Sequence, residues 1–217
     1  TSKKIRAVVK MRGEAGEHIA SNPPYGYVKD PQNKKKWIVD EESAKVVRRI
    51  FDLCIAGKGP MQIAKILTAD RVLTVTAYNA RQKGWAMPDN LYRWCAKSVA
   101  GILERPEYTG CTVNFKTYTK SLKFKKRMEN PKENRRIFED TQPAIIERGQ
   151  WERVQALRAN KRRPTKTGKT SIFSGLVYCA DCGAKLYYCT CNTYKNESQD
   201  HFVCSNYKSN TGSCQIH

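Results

Sequence analysis

Acidic residues are scarce in this chain. Twenty Asp and Glu stand against 40 Lys and Arg over 217 residues, a formal net charge of +20. Between Arg153 and Ala180 there is no acidic residue at all. Such an excess says little about fold, but it favours polyanionic partners, with nucleic acid first among them. The alternative is a solvated, soluble surface. Long apolar runs are missing too. No stretch approaches the ~18 consecutive apolar residues of a membrane-spanning helix, and no signal peptide opens the chain. A cytoplasmic protein is therefore expected, with no membrane partner. Histidine occurs three times. No base–nucleophile pair and no Gly-rich phosphate loop can be assembled from the sequence, so no catalytic residue is expected in it.

Cysteine, by contrast, is plentiful. Six of the nine cysteines fall after residue 178. An even scatter would suggest disulfides, whereas clustering around a C-x-x-C suggests zinc in a reducing compartment. Cys54, Cys95 and Cys111 sit in apolar or ordinary surroundings and read as structural thiols. Cys179 and Cys182 stand in "YCADCG", where a tight turn aims two thiolates at one ion. A tetrahedral zinc needs a second pair. The candidates are Cys189, Cys191, His201, Cys204, Cys214 and His217. Cys189 and Cys191 lie in a strand-like "LYYCTC" without the knuckle turn. Cys204 and Cys214 flank a Gly-containing turn, as in a β-ribbon. One structural zinc on Cys179, Cys182, Cys204 and Cys214 is the reading adopted, with Cys189, Cys191 or His201 as possible replacements for one ligand. A thioredoxin-like role does not fit, because the C-x-x-C is surrounded by strands rather than opening a helix. A closed four-cysteine site also leaves no zinc position open for water.

Upstream, the pattern is helical. Residues 1–16 place Ile5, Val8, Val9 and Arg12 at helical spacing, and no N-cap precedes them, so they read as the end of a longer helix. "NPPYGYVKD" is a turn followed by a strand-like "KWIVD". Asp40 then caps a helix whose buried stripe is Ala44, Val47, Ile50, Phe51 and Cys54, with Gly57 as its stop. Pro60 opens a second helix with Ile63, Ala64, Ile66 and Leu67 on its apolar face. After a long connection, a third helix from about Tyr92 to Glu104 turns Val99, Ile102 and Leu103 inward. Arg93, Lys97 and Ser98 lie near its N-terminal end. Two helices, a turn and a basic third helix fit a helix-turn-helix reader, in which that end meets base edges in the major groove.

Residues 107–128 read as strands with a basic face, and "KFKKRMENPKENRR" as a mobile charged loop. A fourth helix carries Ile146, Trp151, Val154 and Leu157. The stretch 158–170 has few apolar groups and is expected to be a linker. Its Lys161, Arg162, Arg163, Lys166 and Lys169 suit an arm laid along DNA. From Arg162 to Thr170 the extended chain reaches roughly 30 Å at ~3.3 Å per residue, close to one helical turn of DNA.

Taken in order, "NPPYGY", "IVDEESAKVVRRIFDLCIAGKGPMQIAKIL", "SVAGILERPEYTG" and "PAIIERGQWERVQ" resemble the recombinase domain of large serine recombinases. "SGLVYCADCGAKL" and "FVCSNY" resemble the zinc ribbon that follows it. The segment "TVTAYNARQKGWAMPDNLYR" is longer than in many relatives. The resemblance implies an α+β protein: a mixed helical, helix-turn-helix-like recombinase domain followed by a small zinc β-ribbon. The implied boundaries are 1–19 for the end of a connecting helix, 20–157 for the recombinase domain, 158–170 for the arm and 171–217 for the ribbon. It further implies binding to double-stranded attachment sites during DNA integration or excision, and self-association of the full-length protein as dimers and tetramers. Such enzymes cut DNA through a serine in a domain that this chain is expected to lack, so it should be inactive alone. The rival reading is a zinc-ribbon RNA-binding or ribosome-associated protein.

Overall fold

The computed structural model describes residues 2–120, 126–159, 171–190, 199–208 and 214. The fold is α+β, and the chain divides into two units, Thr1–Gln155 and Ala156–His217. In the first unit, α1 (Ser2–Glu14) leaves the expected stripe in solvent, with Ile5 59% and Val8 43% exposed. The helix end is held by the strands that follow. Asn114 Nδ2 donates to the carbonyls of Gly13 and Glu17. Gly13 lies on the Phe115 ring so closely that a Cβ would sit 2.3 Å from Cζ.

The strand pair β1 (Tyr27–Lys29) and β2 (Trp37–Val39) is antiparallel, with Tyr27 opposite Val39. Tyr27 and Trp37 point into the core. From there the chain enters α2 (Glu41–Ile55). Asp40 holds the N-cap position, but its carboxylate bonds the Ser43 and Tyr78 hydroxyls rather than the helix backbone. The five expected stripe residues of α2 are all buried. The next helix, α3 (Pro60–Ala69), buries Ile63, Ala64 and Leu67 but leaves Ile66 half-buried.

The long connection contains a helix that periodicity did not announce, α4 (Val75–Lys83). Its Thr74 cap accepts from the Ala77 N–H, and Gly84 closes it in the left-handed region, with φ 65°. The third expected helix begins later than its pattern suggests, as α5 (Ala96–Leu103). Trp94 explains the delay. Its backbone N–H donates to Thr68 Oγ1 and its indole to the Val72 carbonyl, which pins residues 92–95 outside the helix. Val99, Ile102 and Leu103 are buried as expected. Helices α2, α3 and α5 pack on one another, and Tyr108, Ile146 and Val154 complete their core.

A 3-10 turn, Pro106–Thr109, leads into two strand pairs. One joins β3 (Thr112–Asn114) to β6 (Arg136–Phe138), and the other joins β4 (Thr117–Thr119) to β5 (Arg127–Glu129). The expected charged loop is therefore partly strand, since β5 and β6 both draw on it. Helix α6 (Arg148–Ala159) buries Val154, whereas Ile146 precedes it and Leu157 is 46% exposed. In the second unit, β7 (Leu186–Cys189) pairs antiparallel with β8 (His201–Cys204), and α7 (Ser205–Lys208) follows. Among the described residues, no helix is long and apolar enough to cross a membrane.

Candidate metal centre and nucleic-acid interface

The second unit gathers four sulfurs at one point. The Sγ atoms of Cys179, Cys182, Cys204 and Cys214 all lie within 4.8 Å of one another. Local structure explains how. The Cys179 N–H donates to the Ala184 carbonyl at 2.7 Å, and the Gly183 N–H donates back to the Cys179 carbonyl at 2.9 Å. Gly183 takes φ 66°, so the chain doubles back and brings Cys182 beside Cys179. Leu186 pairs with Cys204 in the β7–β8 register, which carries Cys204 to the same end of the ribbon.

The separations suit a metal rather than disulfides. Cys179 and Cys214 stand 3.7 Å apart, and Cys182 and Cys204 3.4 Å apart. A disulfide requires about 2.05 Å. Four sulfurs at ~2.3 Å from a tetrahedral zinc lie roughly 3.8 Å from each other. Thiol acidities fit as well. The N–H groups of Cys182 and Asp181 lower the pKa of Cys179. Burial works against ionising Cys204, but the N–H groups of Tyr207 and Asn206 and the Cys182 thiol outweigh it and bring it to about 7. Burial, reinforced by the other three sulfurs, pushes Cys214 up to about 12. Cys182 is raised as well, against the pull of the Ala184 N–H, by burial and by the Cys204 and Cys179 sulfurs. Two of the four thiols are thus shifted toward the thiolate and two away from it.

The other candidate ligands stand apart. Cys189 is paired with His201 at the opposite end of the ribbon, three residues and roughly 10 Å from the sulfur cluster. Lys208 Nζ approaches the Cys189 sulfur at 3.0 Å. His201 is exposed, with Nδ1 on the Gln199 carbonyl at 2.9 Å. Cys191, His217 and the Gly212 turn lie outside the described residues. Directly after Cys204 the chain forms the short helix α7.

In the first unit the basic candidates surround the start of α5. Lys97 and Ser98 occupy its first turn and are exposed. Arg93 is exposed as well, but it precedes the helix, in the stretch that Trp94 anchors. Cys95 occupies the N-cap position in solvent, unlike buried Cys54 and Cys111, so it is not a core thiol. The Ser98 hydroxyl and the N–H groups of Ser98 and Lys97 lower its pKa. Elsewhere in the unit Arg49 is engaged with Asp70 and Arg81 with Glu42. Lys161, Arg162, Arg163, Lys166 and Lys169 lie outside the described residues. Sequence reading missed α4, although Thr74 and Gly84 bracket it as cap and stop, and it missed the register that joins β4 to β5.

Comparison with known proteins yields two family matches. Residues 41–161 match the family described as Recombinase, and residues 172–217 match the recombinase zinc beta ribbon domain. Among curated proteins, the chain is 25% identical over 126 residues to the uncharacterized protein YefB of Bacillus subtilis. That match covers 58% of this chain and 40% of YefB, so the chain spans less than half of that relative. One similar solved structure is described as a crystal structure of an LSR–DNA complex. Its TM-score is 0.53 at 18% identity, covering 96% of this chain and 61% of the other, which establishes a shared fold alone. Another comes from work on sequence requirements of the Listeria innocua prophage attP site, with TM-score 0.46, 18% identity and coverage of 96% and 75%.

Proposed function

This chain belongs to the recombinase family, as its resemblance to large serine recombinases implied, and from that premise we propose that it is a sequence-specific DNA-binding region of such an enzyme. Its ligand is an attachment-site half-site in duplex DNA, used in integration or excision. The observation that carries this reading is the start of α5. Val99, Ile102 and Leu103 lock the helix into the core while Lys97, Ser98 and the preceding Arg93 face solvent. A rigid helix that offers basic and hydroxyl groups at its N-terminal end suits a major groove. An Arg there can take guanine through two hydrogen bonds, and Ser can take either base type.

The second unit supplies a further contact held in shape by one structural zinc. Cys179, Cys182, Cys204 and Cys214 would hold the ion, and the sulfur separations support that set. Bound zinc supplies cross-linking rather than chemistry, because four thiolates leave no position for water. The basic stretch 158–170 connects the two contacts, with Arg162 and Arg163 near phosphates. Pairs of half-sites would then be occupied by paired chains of the full-length protein.

The test is competition binding. Labelled duplex from the ends of the DNA element that carries the gene is challenged with scrambled duplex and with structured RNA, at several salt concentrations. Preference for the labelled duplex over both competitors is the expected result. Equal or better competition by RNA would favour the RNA-binding reading and reject this one.

A further inference from the structure

The strand pair β4–β5 buries none of its own side chains. All six of its residues are exposed, including Tyr118 at 42% and Met128 at 36%. It prolongs the β3–β6 pair, and the root of that longer ribbon is firmly held. Thr112 and Asn114 are buried. Lys116 pairs with buried Glu107. At the bend Phe115 takes φ 58°, and Asn130 Nδ2 donates to its carbonyl at 2.9 Å. Among the described residues of β4 and β5 beyond the bend, no apolar side chain is buried.

Charge is one-sided on this ribbon. From Phe115 to Arg136 there are nine Lys and Arg and two Glu. In the register Tyr118 faces Met128, and Thr119 faces Arg127. Carrying it one step further sets exposed Lys120 opposite exposed Lys126, on the same face as Tyr118 and Met128. Like charges directly opposite destabilise a strand pair, and a two-stranded hairpin is marginal in water by itself. Neither feature helps the free protein. Both become favourable against a polyanion.

We propose that the β4–β5 ribbon is a second DNA contact of the first unit, in which Lys120, Lys126 and Arg127 engage phosphates of the duplex and the Tyr118–Met128 pair rests against the sugars between them. This rests on the reading that α5 enters a major groove. The ribbon leaves the C-terminal end of α5 through the Pro106–Thr109 turn. Eight helical residues at 1.5 Å each make α5 roughly 12 Å long. The major groove is about 12 Å wide and bordered by backbone phosphates, the groups that a basic ribbon following α5 in the chain suits.

The experiment uses the whole chain and a duplex enriched by it from a random-sequence pool, with affinity measured across a salt series. The variant K120A/K126A/R127A should bind at least tenfold more weakly at low salt. The slope of log affinity against log salt should flatten by about 0.9 for each phosphate that is no longer neutralised. Preference over scrambled duplex should persist, because phosphates carry no sequence. The charge-keeping variant K120R/K126R/R127K should restore the slope, which separates DNA contact from folding. An unchanged slope in the alanine variant, or failure of the charge-keeping variant to restore it, overturns the inference while leaving DNA binding intact. If the unaltered chain enriches no duplex, the proposed function fails, and this inference fails with it.

Discussion

The two units differ in what they bury. In the first, Val47, Ile50, Phe51, Ile63, Leu67, Val99, Leu103, Tyr108 and Val154 are wholly buried, and apolar burial at ~25 cal/mol per Å² is ample to order three packed helices. In the second, the buried apolar residues among those described are Cys179, Cys204 and Cys214. Ile172 is 78% exposed, Phe173 54% and Leu176 59%. So small a unit has little interior to build from, and small domains commonly replace a core with a metal. The same chain thus pairs a hydrophobic module with a four-cysteine module, and on the zinc reading the two should respond to different insults.

The largest expected effect breaks the second module alone. Cys204→Ser should release the metal and unfold β7–β8, because the apparent binding energy of a structural zinc, about 10–16 kcal/mol, is also its folding energy. Amide spectra should lose the second unit's dispersed signals and keep those of the first, and metal analysis should fall from one zinc to none. Cys189→Ser, at the far end of the ribbon, should keep the ion. The reciprocal change is Phe51→Ala, expected to cost ~3–5 kcal/mol by leaving a cavity. Denaturant unfolding followed through the first unit should show that destabilisation equally with and without chelator.

A smaller effect sharpens the comparison at the level of function. Arg93→Ala and Lys97→Ala should each remove ~1–3 kcal/mol of discrimination between the enriched and scrambled duplexes. Equal weakening on both duplexes would reduce these residues to phosphate contacts. The smallest effect concerns pH. Burial lowers the His18 pKa, opposed by the nearby Glu107 carboxylate. His18 stacks on Trp37 at 3.7 Å and bonds Thr112 Oγ1. With the folded value below the ordinary 6.5, the unfolded chain takes up the proton first. Stability is therefore complete above pH ~6.5 and declines as pH falls through the folded value. Denaturation midpoints of the first unit between pH 7.5 and 5, on the order of these values, should show the decline, and His18→Phe should flatten it.

Legibility followed the same division. The α2 stripe, the Pro60 start of α3 and the inward residues of α5 could be read because burial imposes a helical period on side chains. That the four cysteines gather could be read because a C-x-x-C turn and a strand pairing both restrict spacing. What escaped was decided by tertiary contacts. Trp94 is claimed by Thr68 and Val72, so α5 starts late in a segment whose pattern runs on. Helix α4 has a weak apolar period, with only Ala77, Tyr78 and Ala80 buried, and its caps were the better signal. The β4–β5 pairing left no alternation of burial to detect, since every residue in it is exposed.

The proposal of two separately stabilised DNA contacts on one chain is tested most directly by hydroxyl-radical footprinting on the enriched duplex, with and without a zinc chelator. Chelation should erase protection on one flank of the site while leaving the rest, where the first unit binds, unchanged. Disappearance of the whole footprint, or persistence of all of it after the zinc has demonstrably been removed, would contradict a hydrophobic reader and a metal-held anchor acting independently.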